Sequence, residues 1–176
     1  MRTITLIRHA KSSWKNPDIE DFNRPLNKRG KRDLPAMAER LKNAGLTPDK
    51  CLSSGATRAF LTAKATSKRL PNHPWIEVIP ELYDSCMETL LDVLQRHSDK
   101  DHHVMVFGHN PGLQRLGEYL SAEQIPNLPT CGVMHIHLGV TCWSELSEGC
   151  GTLEWFDYPK LHQKETKKQA LKQPQK

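Results

Sequence analysis

The 176-residue chain has no run approaching the roughly twenty apolar residues that a membrane-spanning helix needs. Its opening, "MRTITLIRHA", carries too short an apolar stretch for a secretory leader, so the cytoplasm is the expected compartment and no membrane is expected as partner. It also lacks an even cysteine set and any CxxC pair. Cys51, Cys86, Cys131, Cys142 and Cys150 are five in number, which speaks for free thiols in a reducing environment rather than a disulfide framework. The only imaginable zinc set, Cys142, Cys150, His135 and His137, has no close ligand pair of the usual spacing, so no metal and no cofactor is expected. Internal repeats are absent. A strong charge of one sign is absent as well, except at the end: the formal +5 is concentrated in "KLHQKETKKQALKQPQK". Without that segment the charge is nearly balanced, and nucleic acid is not an expected partner.

What is present suits one soluble domain with a single core. The mass is 20.1 kDa, 37% of residues are hydrophobic and 26% charged. Residues 1–160 read as the folded domain and residues 161–176 as a polar, lysine-rich tail with almost no apolar anchor. A monomer is expected.

The β-branched run "TITLI" reads as a central strand that stops on Arg8 and His9. Ala10 to Leu26 has no period and two prolines, which predicts a long loop of the kind that carries a function. Asn27 is positioned to cap a helix with Leu34, Met37, Ala38 and Leu41 on its buried face, where Pro35 either kinks the helix or marks its regular start. "DKCLSS" is a short strand, "ATRAFLTAKATSKRL" a helix with small residues Ala59, Ala63 and Thr66 for close packing, and "HPWIEVI" another strand. Asp84 or Ser85 is expected to open the next helix, with Ser85 and Glu88 at capping-box spacing. "HHVMVFGH" is a second strongly apolar strand, and Asn110-Pro111 reads as a cap followed by proline at the first helical position. The remainder, up to "EWFDYP", alternates and turns at glycines as an antiparallel hairpin does. The order predicts an α/β three-layer sandwich with a mostly parallel central sheet, helices on both faces and C-terminal hairpin strands.

In such sheets the ligand site lies at the carboxyl ends of the strands, near the point where strand order reverses. Arg8 and His9, then Ser54 to Arg58, then Gly108-His109-Asn110 each follow an apolar strand directly. Helices starting near Ala56 and Pro111 would aim backbone donors the same way. Two arginines and two histidines repel when the site is empty and are reconciled by a compact dianion, for which the forked guanidinium is well shaped. A neutral imidazole among them has a nucleophilic nitrogen, and a backbone carbonyl bonded to its other nitrogen would fix the tautomer for attack on phosphorus.

In order along the chain, "LIRHAKSSW", "DFNRPLNKRG", "SSGATRAFLTA", "PELYD" and "VMVFGHNPGL" resemble the histidine phosphatase superfamily, specifically its short branch of phosphohistidine phosphatases similar to SixA. That resemblance implies His9 as the nucleophile, with Arg8, Arg58 and His109 holding the phosphoryl group. It also implies Arg24, Pro25, Leu26 and Gly30 shaping the approach, and Thr62 packing behind. Ala10 stands where glycine is more usual. Larger relatives use a glutamate to protonate the leaving group; Glu81 is nearest in position, with Asp18 or Asp21 as substitutes. Ser54 is a further candidate phosphate ligand, or a donor to its own loop. His135 and His137 are expected to face solvent or pack near the terminal region, and Trp14 to close over the pocket or dock on the core.

The expected function is a metal-independent phosphatase with a covalent phosphohistidine intermediate and protein phosphohistidine as preferred substrate. A phosphoramidate can leave with less acid assistance than an alkoxide. The alternatives are a small-molecule phosphomonoesterase and a non-catalytic phosphate-binding module, so the partner is a phosphorylated protein or a small phosphorylated molecule. A mutase is disfavoured because little extra cationic material is expected for a second phosphate. A phosphotransfer bundle would need a mid-helix histidine rather than one after a strand.

Overall fold

A computed structural model of the chain describes residues 1–161. The expected tail therefore lies outside the described residues, except for Leu161. Six strands form one sheet: β1 (Arg2–Arg8), β2 (Lys50–Ser53), β3 (Trp75–Val78), β4 (His103–Gly108), β5 (Val133–Leu138) and β6 (Gly151–Asp157), in spatial order β3-β2-β4-β1-β5-β6. The first four are mutually parallel, while β5 runs antiparallel to β1 and β6 antiparallel to β5. This is the mostly parallel α/β sheet with a C-terminal hairpin that the alternation of elements predicts.

Among the described residues the helices α1 (Lys28–Asn43), α2 (Thr57–Ser67), α3 (Met87–Gln95) and α4 (Gly112–Ser121) cover it. Helices α1 and α2 pack together, as do α3 and α4. Strand pleating explains the two cores this creates, because successive side chains of β1 and β4 point to opposite faces. Ile4, Leu6, Val104 and Val106 join Leu90, Leu94, Leu113 and Leu116, whereas Ile7, Met105 and Phe107 join Leu34, Met37, Leu41 and Ala63. Among the described residues no helix is long and apolar enough to cross a membrane.

From β1 the chain crosses to β2 and β3, then returns to insert β4 between β2 and β1. That reversal places the ends of β1, β2 and β4 side by side. The register pairs Arg8 with Gly108 and Ser53 with Phe107, so His9, His109 and Ser54 are neighbours at the sheet's carboxyl edge by strand geometry alone.

Asn27 caps α1 as expected, its side chain accepting from the Gly30 N–H at 2.9 Å. The helix then runs through Pro35 without restarting. Two helix starts differ from expectation. Cys86, not Asp84 or Ser85, is the N-cap of α3, and no side chain caps that end; Asp84 adopts a positive φ of 47°, which turns the chain before the helix begins. At α4, Pro111 is itself the N-cap and Gly112 the first helical residue, because the Asn110 side chain reaches instead to Gln114 and the Leu128 carbonyl.

The histidines at the far end of the sheet are tied to the strands. Thr5 Oγ1 lies 2.8 Å from both His103 Nε2 and His135 Nδ1, and His135 stacks on Trp155 of the last strand at 5.3 Å between ring centres. Of the two placements expected for it, His135 takes the one packed against the terminal region and is buried there.

Gly30 is where α1 presses on the loop after β1. A Cβ there would collide with the Lys11 carbonyl oxygen, and Lys11 also accepts the Asn27 N–H through that oxygen at 2.9 Å. A Gly30→Ala change gains helix propensity of about 1 kcal/mol, but overpacking against backbone outweighs it. A net loss of about 1–3 kcal/mol is expected in urea unfolding; a variant as stable as the wild type would show that this contact yields freely.

Candidate active site

His9 directly follows β1, with its backbone N–H bonded to the Gly108 carbonyl at 3.1 Å, and the residue is 8% exposed. Its Nδ1 lies 2.8 Å from the carbonyl oxygen of Ala10. A carbonyl only accepts, so Nδ1 carries the proton and Nε2 keeps its lone pair. Burial pulls the His9 pKa down to about 4; the Ala10 bond pushes the other way, and Arg58, Arg8 and Arg24 add to the lowering. At neutral pH this imidazole is uncharged.

The His109 ring stands 5.2 Å from that of His9. Its Nε2 is 2.9 Å from Ser54 Oγ, and Arg58 Nη2 approaches its Nδ1 at 3.5 Å. Guanidinium nitrogen can only donate, so this arrangement puts the proton on Nε2, donated to Ser54 Oγ. Burial first, then His9 and Arg58, lower the His109 pKa to about 3, against a raising effect of Asp21. Ser54 is fully buried, and its Oγ also accepts the Ala56 N–H at 3.2 Å, so it holds His109 and the start of α2 together.

Arg58, in the first turn of α2, is buried. It donates from Nη1 to the Asp21 carbonyl oxygen at 2.6 Å and from Nη2 to Asp21 Oδ2 at 2.8 Å. Arg24 grips the other oxygen of the same carboxylate, with Nη2 2.7 Å from Oδ1, and donates to Ser12 Oγ at 3.0 Å. Tyr83 Oη donates to Asp21 Oδ2 at 2.7 Å, its ring edge-on to His109 at 5.5 Å. Partial burial raises the Asp21 pKa, but the bonds from Tyr83, Arg58 and Arg24 overcome it and hold the carboxyl well below its usual range. Arg8 donates from Nη1 to the Leu128 carbonyl at 2.8 Å. Three guanidinium groups against one carboxylate leave two positive charges in excess beside two neutral imidazoles. The Nε–H groups of Arg8 and Arg58 are buried without an acceptor in the protein, a costly arrangement that an oxyanion would relieve. Thr62 Oγ1 accepts the Ala10 N–H at 3.0 Å and donates to the Arg58 carbonyl, bracing β1's exit against α2.

The fold therefore brings together Arg8, His9, Arg24, Ser54, Arg58 and His109. Glu81 stays apart: it is exposed in a short turn (Pro80–Leu82) and lines a small cavity with Glu77, Arg96 and His97. No contact among the described residues links it to His9 or His109. The carboxylate that does reach the site is Asp21, and its ionised state makes it an anchor for two arginines rather than a proton donor. From sequence Asp21 is expected only as a substitute acid, and Tyr83, two residues past Glu81, is a participant to which the sequence assigns no role. The sequence held one clue to Asp21, since a buried arginine needs an acidic partner and Asp21 lies three residues before Arg24. Trp14 neither docks on the core nor is buried: it is exposed, and the Arg24 guanidinium lies 3.4 Å from its ring centre. Further cationic groups are less scarce than expected: a cavity of about 540 Å³ beside Arg8 is lined by Lys11, Arg29 and Lys160 as well.

The family model of the histidine phosphatase superfamily (branch 1) matches residues 4–82. An uncharacterized chloroplastic protein of Arabidopsis thaliana is 31% identical over 163 residues, covering 88% of this chain and 74% of that one. An uncharacterized protein of Mycobacterium tuberculosis is 30% identical over 165 residues, covering 88% of this chain and all of the relative. Among solved structures, SixA of Agrobacterium tumefaciens, assigned as a phosphohistidine phosphatase, superposes with a TM-score of 0.78 at 27% identity over 90% of this chain and 98% of its own. The protein histidine phosphatase SixA complexed with tungstate superposes with a TM-score of 0.76 at 25% identity, covering 90% of this chain and 98% of that one. The chain belongs to the histidine phosphatase superfamily and is SixA-like in structure.

The buried histidines couple stability to pH. His9, His103 and His135 are each lowered to about 4 and His109 to about 3, chiefly by burial. Between those values and the unfolded value of about 6.5, the unfolded chain binds more protons than the folded one. Stability should be full above about pH 6.5 and fall steadily as pH drops toward 4. Urea unfolding across that range measures it, and a flat profile would contradict neutral burial.

Proposed function

We propose that the protein is a metal-independent phosphatase that passes the phosphoryl group through His9, and that its preferred substrate is phosphohistidine on a protein. The observation that carries this reading is the Nδ1–H of His9 held by the Ala10 carbonyl, which leaves Nε2 unprotonated inside a cationic pocket. Nε2 attacks phosphorus and a P–N bond forms to His9, while the P–N bond to the substrate's ring, already protonated on its other nitrogen, breaks with its electron pair going to that ring, which leaves as neutral imidazole. Water then attacks the phosphoryl group, the His9 P–N bond breaks, and orthophosphate departs with the neutral ring restored. Arg8 and Arg58, with the N-terminus of α2, stabilise charge on the equatorial oxygens. When a dianion offsets the surrounding positive charge, His109 takes up a proton from water on Nδ1 and, as an imidazolium still donating from Nε2 to Ser54 Oγ, donates from Nδ1 to one of those oxygens.

The choice of substrate rests on what acids are within reach. Asp21 is ionised and bonded on both oxygens, and Glu81 lines a different cavity. A site without a protonated carboxyl favours a leaving group that needs little protonation, and the imidazole of phosphohistidine is one. The likeness to the SixA structures, one with bound tungstate, supports the same reading.

The test is incubation of wild type and His9→Ala with labelled phosphohistidine protein and with p-nitrophenyl phosphate. Wild type should form an acid-labile, alkali-stable adduct and turn over phosphohistidine with no effect of a chelator. His9→Ala should form none and lose about a thousandfold or more in rate. Glu81→Gln should leave phosphohistidine turnover within about twofold, as expected of an exposed residue away from the chemistry. An adduct in His9→Ala, or chelator inhibition reversed by a metal, would refute the mechanism.

A further inference from the structure

The cavity next to Arg8 plays no part in the phosphoryl chemistry, yet its composition is distinctive. Its volume is about 540 Å³, and Arg8, Lys11, Arg29 and Lys160 line it together with Asn127 and Thr130. No carboxylate is among its lining residues. Arg29 is partly engaged, with Asp33 at 3.5 Å and Thr130 Oγ1 at 3.4 Å, but Lys11 and Lys160 make no ion pair among the described residues.

This cavity is contiguous with the phosphoryl pocket through the chain itself. Arg8 and His9 are consecutive, and the Cys131 N–H lies 3.0 Å from the Arg8 carbonyl and 3.1 Å from that of His9, so the segment carrying Thr130, which lines the cavity, is tied to the backbone of both residues. Arg8 faces the cavity while keeping a buried Nε–H without an acceptor. An anion in the cavity thus meets the same guanidinium that borders the reacting phosphoryl group. Like charges gathered around a concave surface focus their field and select a ligand of opposite sign.

We propose that this cavity is a second anion subsite, and that it binds the carboxylates of acidic residues flanking the phosphorylated side chain of a protein substrate. The proposal rests on the reading of a protein substrate given above. Successive residues of an extended peptide are about 3.3–3.6 Å apart, so a carboxylate one to three positions from the phosphorylated residue reaches across Arg8 from the His9 pocket. The ammonium groups of Lys11 and Lys160, which line the cavity together with Arg29, then receive it. Specificity here is for charge rather than for a particular side-chain shape, because lysine ammonium groups act as mobile point charges.

The experiment measures equilibrium binding, which separates it from turnover. Two peptides carry the same non-hydrolysable phosphoryl-triazolylalanine analogue of phosphohistidine, one flanked by glutamates and the other by glutamines. The full chain should bind the glutamate peptide about five- to tenfold more tightly at physiological salt, as expected for two partly exposed ion pairs. The Lys11→Gln/Lys160→Gln double variant should lose that preference. A charge-matched control, Lys64→Gln/Lys68→Gln on the exposed side of α2, should keep it. Equal affinity of wild type for the two peptides, including absence of binding by both, or a preference that survives Lys11→Gln/Lys160→Gln, would overturn the subsite. Failure of the phosphatase reading shows separately, as the absence of a His9 adduct.

Discussion

The site depends on one short bond, from His9 Nδ1 to the carbonyl oxygen of the next residue. Without it a buried imidazole beside three arginines would be neutral but free to exchange tautomers, and its nucleophilic nitrogen would be undefined. With it, the proton is held on the backbone side and Nε2 is left bare. Burial and neighbouring positive charge enforce neutrality, and the carbonyl decides which nitrogen is exposed. Neither effect alone yields a nucleophile.

The rest of the carboxyl edge can be understood as support for that bond. Pairing of Arg8 with Gly108 sets His9 and His109 side by side, and insertion of β4 between β2 and β1 brings Ser54 and the start of α2 to the same place. Thr62 ties the Ala10 amide to the Arg58 carbonyl, so the residue whose carbonyl orients His9 is itself pinned to the helix that supplies the second arginine. Asp21 spreads one carboxylate over Arg24, Arg58 and Tyr83 and leaves the cluster with the excess charge a phosphoryl dianion matches. The guanidinium groups are held by protein acceptors while the buried Nε donors of Arg8 and Arg58 are left to spare, which is preorganisation for an oxyanion rather than mutual satisfaction.

Much of this was legible in the order of residues because strands announce themselves. An apolar run ending in Arg8-His9, another ending in Gly108-His109 and a third leading to Ser54 and Arg58 place these side chains at one sheet edge as soon as the sheet is taken to be parallel. Even the Nδ1 bond to a backbone carbonyl could be anticipated from the chemistry. Contacts made by loops were less accessible. Asp21 lies in a segment without period, and only the folded path of that segment brings it against Arg58, 37 residues away. Glu81 lies apart from the cluster for a related reason: nearness in sequence to the site does not fix the direction in which a short turn points its side chain. Helix starts at Cys86 and Pro111 departed from local rules because neighbouring backbone, through the turn at Asp84 and the reach of Asn110 to Leu128, overrode the intrinsic capping signals.

The most direct measurement is of the His9 tautomer. Nitrogen-15 NMR of the histidine rings, assigned with the His9→Ala variant, separates Nδ1–H from Nε2–H and from imidazolium by chemical shift and coupling. A single Nδ1–H tautomer for His9, neutral from pH 8 down to about pH 5, is expected. A proton on Nε2, or an imidazolium at pH 7, would contradict the claim that the fold delivers a bare nitrogen to phosphorus.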